Sequence, residues 1–205
     1  MSRANVFEIQ VPLRRCYKSD PKAALVTDRA LTQGGSVDDP FHSMVMPMPR
    51  SGTAIPVGVH RALGGLHDAP TPGDILCAAF AACQDSSVRM VANILGITLE
   101  SLGVEVTGEV DVRGTMAMDV QVPVGFQAMR CVVRLKAANG TNPHLLEKLR
   151  IASQRSCIVG QTLLHSPSVE TTFDMGTDEV NGVQVAPQPG AESGACMRTI
   201  GGMLE

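Results

Sequence analysis

The 205 residues carry a net charge of −3, no Trp and one Tyr, with 44% hydrophobic and 18% charged residues. That balance gives neither the basic field nor the stacking rings a nucleic-acid partner requires, and its apolar content is that of a folded globular chain. The longest apolar run, Ile75 to Cys83, is too short to span a bilayer, and MSRANVFEIQVPLRRC has no signal-peptide core, so a cytoplasmic protein without a membrane partner is expected.

Phe7, Ile9, Val11 and Leu13 alternate with other residues, which predicts a first strand or an N-terminal arm. Ala23 to Gln33 reads as a further strand ended by Gly34-Gly35. Asp38-Asp39-Pro40 marks a turn, and Met44 to Met48 reads as a packed loop or a sheet edge. Ile55, Val57 and Val59 alternate within Ser51 to Leu63 and predict another strand, so residues 1–70 read as a meander of strands.

The best-marked element is Thr71 to Gly96. Thr71 is an N-cap, Pro72 stands where a missing N–H costs nothing, and Asp74 completes an approximate capping box. Ile75, Leu76, Ala79, Ala82, Cys83, Met90 and Ile94 recur at helical spacing, and Gly96 is the stop. Small residues between them let other backbones approach on several sides, and Asp85 and Arg89 form an i,i+4 pair.

Val104, Val106, Val110 and Val112 face Glu105, Thr107, Glu109 and Asp111 across a half-buried strand. Residues 114–125 read as a loop, and Met129, Cys131, Val133 and Leu135 form the inner face of a second strand. Asn142-Pro143 repeats the Thr71-Pro72 grammar and opens a second helix over 142–156, with Cys157 directly after it. Val169 to Phe173 predicts a closing strand, and residues 176–205 read as a tail behind a single domain spanning 1–175. Strands, helix, strands, helix and strand without βαβ regularity define an α+β class.

Cys16, Cys77, Cys83, Cys131, Cys157 and Cys196 show no CxxC spacing, and the five histidines do not cluster with them, so neither a metal nor a cofactor is expected. In a cytoplasmic chain most of these thiols are expected reduced. Cys131, on an apolar strand face, reads as a core thiol. His60 and His67 flank a glycine turn and read as structural.

The stretch Pro72-Gly73-Asp74-Ile75-Leu76 followed by small residues and Ala82-Cys83, taken with Cys157-Ile158-Val159 before Gln161-Thr162-Leu163, resembles the two cysteine motifs of the OsmC/Ohr family. Leu95-Gly96-Ile97, residues 102–112 and residues 126–136 resemble that family's helix exit and adjoining strands, so the likeness spans about 57–173. It implies an OsmC-like fold: two long central helices on curved antiparallel sheets, in an intertwined homodimer with active sites at the subunit boundary. The implied activity is thiol-dependent reduction of organic hydroperoxides, with Cys83 as the peroxidatic and Cys157 as the resolving cysteine and a small-thiol or lipoyl-type reductant. In the hydroperoxide-resistance branch a Glu follows the Pro matched by Pro72, and an Arg pairs with the cysteine. Here Gly73 holds the first position, with Asp74 next to it, and Arg29, Arg50 and Arg61 are the candidates for the second. Those departures place the chain in the broader OsmC-like set, with a non-catalytic dimeric module for small-molecule binding or redox sensing as the alternative. Physically, a peroxidatic thiol needs its pKa brought below the ordinary value of roughly 8.5, and a second thiol to condense with its sulfenic acid.

Overall fold

A computed structural model describes residues 5–175. Residues 29–165 form one compact unit, and the described residues 5–28 and 166–175 belong to another.

In the latter unit the predicted first strand is instead helix α1, Val6–Ser19. Asn5 caps it by accepting the Glu8 N–H at 3.2 Å, Glu8 stands in the positive first turn and Lys18 in the negative last one. The half-buried residues Val6, Gln10, Leu13 and Tyr17 recur every three or four positions, whereas Phe7 and Ile9 of the alternating set are exposed. Local capping and a 3.6-residue period therefore outweigh the period-two reading. Part of the predicted Ala23–Gln33 strand is a 3-10 turn, Pro21–Ala24, capped by the Asp20 side chain. The closing strand over Val169–Phe173 is absent: the segment is irregular, with Val169 and Phe173 84% and 82% exposed. The predicted tail lies outside the described residues.

The 29–165 unit opens with three short antiparallel strands in sequential order: β1 (Ala30–Thr32), β2 (Ser43–Pro47) and β3 (Ile55–Val57). The Met-rich stretch left between loop and edge is the middle strand, with Leu31 opposite Met46 and Val45 opposite Ile55. The predicted Ser51–Leu63 strand shrinks to β3 because 3-10 turns at Pro49–Ser51 and Arg61–Leu63 flank it.

Helix α2, Pro72–Ile94, matches the predicted central helix. Thr71 and Asp74 form a full capping box: the Thr71 hydroxyl accepts the Asp74 N–H at 3.2 Å, and Asp74 Oδ2 accepts the Thr71 N–H at 2.9 Å. At the far end Gly96, at φ +70°, turns the chain so that the Ile97 N–H reaches Ala92 O and the Gly96 N–H reaches Asn93 O, a Schellman closure. The whole 23-residue helix is long and apolar enough to cross a membrane, although its longest apolar run is not. Core helices pass the same test, and this one packs against the sheet and helices that follow.

Strand β4 covers Leu99–Glu109, starting earlier and ending earlier than the predicted face, and pairs antiparallel with β5, Ala128–Ala137. The pairing slips between Leu99 and Ser101, and the extra residue changes the parity, so Leu99 and Leu102 both pack on the core. Val112 leaves the strand because Asp111 caps a short helix, α3 (Val112–Thr115), through the Arg113 N–H. Helix α4, Pro143–Ser156, is capped by Asn142 as predicted, and α5, Ile158–Leu164, follows after Cys157 alone.

The core lies between α2, the β4–β5 ribbon and α4. Val88, Ala92, Ile97 and Leu149 are buried in it, with Val91, Leu99, Leu102, Val133 and Leu146 packed around them. It fixes the middle of α2 against α4, and so fixes the residues one turn earlier on α2 against the α4–α5 junction.

Candidate active site

Two thiols meet at that junction. Cys83 is half-buried in the middle of α2, and Cys157 is 1% exposed at the single residue between α4 and α5. As the α5 N-cap, Cys157 accepts the Gly160 N–H on its sulfur at 3.3 Å. One residue earlier on the same turn, the Val159 N–H points to the Cys83 sulfur at 3.5 Å. The two thiols thus meet on the first turn of α5, each taking one of its backbone N–H groups.

The electrostatics of Cys157 follow from this seat. Burial pushes its pKa from 9.0 to about 11; the Gly160 N–H lowers it, while the Cys83 side chain raises it, with a smaller contribution from Cys131. Cys157 therefore holds its proton at neutral pH. The first turn of α5 supplies backbone N–H groups to both sulfurs, a source of positive potential that sequence reasoning did not find.

Close packing explains why the turn takes this form. A Cβ built on Gly160 would lie 2.9 Å from the Phe80 ring and 3.2 Å from the Cys157 sulfur, so only the absence of a side chain admits both. Phe80, one turn before Cys83, thus reaches the floor of the thiol pair. A Gly three residues after a cysteine was the available sequence signal for this contact.

The other predicted site residues lie elsewhere. Asp74 is held by Thr71 and by His67, whose Nε2 is 3.3 Å away, and the Thr71 N–H and hydroxyl, with His67, keep its carboxyl below the ordinary value. Arg61 donates Nε–H to Leu66 O at 3.1 Å, Arg50 lies in the Pro49–Ser51 turn, and Arg29 offers its carbonyl to the Met48 N–H. Among the described residues, none of the three guanidinium groups bonds to Cys83 or Asp74. Gly73, which stands where the related branch has Glu, has little room: a Cβ there would lie 3.1 Å from Phe126 Cζ, so the ring would have to give by a few tenths of an ångström.

A second feature is an open cleft of about 1080 Å³, lined by Val59, Leu63, Cys77, Ala81, Val106 and Phe126 among others, with His60, His67 and Asp74 at one end. The two imidazoles there lie 4.5 Å apart between centroids, tilted 48° to each other. Neither Cys83 nor Cys157 lines it. Cys83 follows Asp74 by nine residues, and at 3.6 residues per turn this puts it on roughly the opposite side of α2. Within the cleft, desolvation and the nearby Asp74 carboxylate both push the Cys77 thiol upward, which leaves it a poor nucleophile. Among the described residues, no group of three or more His, Cys, Asp or Glu is placed to hold a metal ion.

With the cysteine pair at the α2–α5 contact and antiparallel strands packed on α2, the architecture is that of OsmC-like folds. The family model described as OsmC-like protein matches residues 65–172, and the chain belongs to this family. Among solved structures it is similar to an OsmC-like protein from Mycoplasma pneumoniae, at 13% identity and a TM-score of 0.55, covering 69% of this chain and 89% of that one. It is also similar to an OsmC-like protein of unknown function from Vibrio cholerae, at 11% identity and a TM-score of 0.55, covering 67% and 94%. An organic hydroperoxide resistance protein from Elizabethkingia anophelis matches at 18% identity and a TM-score of 0.51, covering 69% and 91%. At these identities the likeness is one of fold. No curated protein sequence matches the chain.

Proposed function

We propose that this protein is a cysteine-based peroxidase that reduces organic hydroperoxides through Cys83 and Cys157. The observation that carries the reading is that both sulfurs sit on one turn of α5, with the Val159 N–H aimed at the Cys83 sulfur and the Gly160 N–H at the Cys157 sulfur. The Cys83 thiolate attacks the terminal peroxide oxygen, the O–O bond breaks, and the alkoxide leaves to take up a proton. Cys83 is now a sulfenic acid. Cys157 attacks its sulfur, water departs, and a Cys83–Cys157 disulfide remains for a small-thiol or lipoyl-type reductant to open. The Val159 N–H faces the thiolate, while Cys157 stays protonated until the sulfenic acid forms. The organic hydroperoxide resistance protein from Elizabethkingia anophelis, with the same fold, agrees with this assignment.

We further propose that the working form is a homodimer. Ala78, Ala79, Ala82, Ser86 and Met90 form an exposed small and apolar stripe on α2, the surface a second copy would cover. Such an interface would bury above about 2,000 Å² in total. One of Arg29, Arg50 or Arg61 would reach Cys83 from the partner. The test of function is direct: add a slight excess of cumene hydroperoxide, count free thiols and map peptides without reduction. Loss of two thiols with a Cys83–Cys157 disulfide is the expected result; no loss above a peroxide-free control sinks the reading.

A second reading, a non-catalytic binding module, is favoured by the large cleft that excludes both site thiols. Its volume and apolar walls suit a small molecule. Unchanged thiols together with saturable binding of an apolar ligand would select it.

A further inference from the structure

The cleft between α2, β4 and the 60–67 turn takes no part in the thiol cycle, and its charge is one-sided. Among the described residues that line it, Asp74 is the only carboxylate, and there is neither Lys nor Arg. Most of the remaining wall is apolar, including Val59, Leu63, Val106 and Phe126.

Local hydrogen bonds fix the state of each group at the polar end. Asp74 Oδ2 accepts from the Thr71 N–H at 2.9 Å, the Thr71 hydroxyl at 2.7 Å and His67 Nε2 at 3.3 Å. One oxygen thus completes the capping box, and among the described residues Oδ1 takes no hydrogen bond. The bonds from Thr71, the backbone one first, and then that from His67 hold the carboxyl below its ordinary value, so it is ionised at neutral pH. His60 accepts the Ala62 N–H on Nδ1 at 3.0 Å, which leaves that ring neutral with its proton on Nε2. The field of Asp74 extends along the cleft: after desolvation, it is the second cause that raises the Cys77 thiol one turn further on α2. Phe126 stands beside the acid, since a Cβ on the adjacent Gly73 would lie 3.1 Å from its Cζ.

These features discriminate among ligands. An anionic head would meet the Asp74 carboxylate with no Lys or Arg to offset it, and apolar walls strengthen that repulsion. A neutral apolar molecule would displace water from Oδ1 and leave a charged acceptor unpaired. A protonated amine satisfies Oδ1, neutralises the carboxylate and has an aromatic ring close by.

We propose that the cleft binds amphipathic amines, with the apolar body between Val106 and Phe126 and the ammonium on Asp74 Oδ1. This rests on the second reading above, that the cleft takes an apolar small molecule, and adds the head group. It is independent of the peroxide chemistry, since neither Cys83 nor Cys157 lines the cleft.

The experiment uses the full chain and three probes of one shape: 1-pyrenemethylamine, 1-pyrenemethanol and 1-pyrenecarboxylate. The protein has no Trp, so pyrene emission reports binding without interference. At about pH 7.5 the amine is protonated and should bind about tenfold tighter than the alcohol, with the carboxylate weakest. Asp74→Asn keeps an oxygen for the cap; it should bring the amine to within about threefold of the alcohol and leave the alcohol in place. Position is read from Cys77: bound amine should slow its labelling by N-ethylmaleimide about threefold or more at about pH 8.5, with Cys83 as the internal control. The wild-type measurements decide the matter even if the variant folds badly. Equal affinity for amine and alcohol, tightest binding of the carboxylate, or an amine affinity unmoved by Asp74→Asn overturns the amine site and leaves an apolar-ligand module standing. Amine binding that leaves Cys77 labelling unchanged lies outside the cleft and overturns the site as well. No binding of any of the three overturns both readings of the cleft.

Discussion

Gly160 is the residue through which the thiol pair is most open to test. In Gly160→Ala the new methyl carbon would sit 2.9 Å from Phe80 Cε2, 3.5 Å from Phe80 Cζ and 3.2 Å from the Cys157 sulfur. Carbon–carbon contacts are most favourable near about 3.5–4.0 Å, so one of the neighbours must retreat by several tenths of an ångström. Phe80 is half-buried and its ring edge can swing. Cys157 is sealed, and its sulfur cannot shift without losing the Gly160 N–H. Overpacking of this kind costs about 1–3 kcal/mol. The substitution also removes a helical glycine, which returns about 1 kcal/mol. The net loss is about 0–2 kcal/mol, or at most about 8 °C in Tm for a chain of this length. The functional effect should exceed the thermal one, because the sulfur that moves is the sulfur that must condense with Cys83. Disulfide formation after a hydroperoxide pulse, followed by quenched non-reducing gels, is expected to slow about tenfold, the equivalent of about 1.4 kcal/mol. Gly103→Ala is the control, since no atom lies within 4 Å of its would-be Cβ. If Gly160→Ala forms the disulfide at the wild-type rate with an unchanged or higher Tm, the packing of Phe80 and Cys157 on Gly160 does not seat the pair.

Leu149→Ala opens a void where α4 meets α2 and should lower stability by about 2–5 kcal/mol, measured by urea unfolding with an unchanged m-value. Asp74→Ala removes the reciprocal half of the α2 capping box and should cost about 1 kcal/mol while leaving thiol oxidation in place; a collapse of peroxide turnover with the fold intact would instead assign Asp74 to the site. His42 lies between Asp39 and Asp68, and its hydrogen bonds to them, to Asp39 first, raise its pKa above 6.5. Its contribution to stability is therefore complete below pH 6.5 and is lost as pH rises through the higher folded value. The stability difference between wild type and His42→Gln should shrink over that window, and a constant difference would refute the bridge. Sedimentation is expected to give a dimer at micromolar concentration, and a monomer there would remove the partner-borne Arg from the scheme.

What the sequence disclosed was mostly local chemistry. Thr71-Pro72 and Asn142-Pro143 announce α2 and α4 because each cap satisfies its own backbone donors without help from distant residues. Val104, Val106, Met129 and Val133 alternate because one face of the ribbon is buried, and that too is readable. The failures have equally physical causes. Phe7 to Leu13 alternates by accident, and the Asn5 cap decides in favour of helix. Val112 continues the valine pattern, yet Asp111 finds a helix start to cap. Met44 to Met48 could not be placed because being a middle strand depends on both neighbours. At the site, Cys83 and Cys157 could be named from a family resemblance, but their meeting depends on a core formed by Val88, Ala92 and Leu149. The amides of Val159 and Gly160 leave no trace in side-chain chemistry.

The ring of Phe126 has a consequence for how this site can vary. It fills the space that side chains at both position 73 and position 108 would need, since a Cβ on Gly108 would lie 2.5 Å from Phe126 Cε1 and one on Gly73 3.1 Å from Cζ. Three positions distant in sequence are therefore bound into one steric unit. A side chain at 73 asks the ring to give by a few tenths of an ångström, and one at 108 asks for a larger swing. Growth at either glycine therefore presses on the same aromatic wall of the cleft, so a change at one position alters the room left at the other.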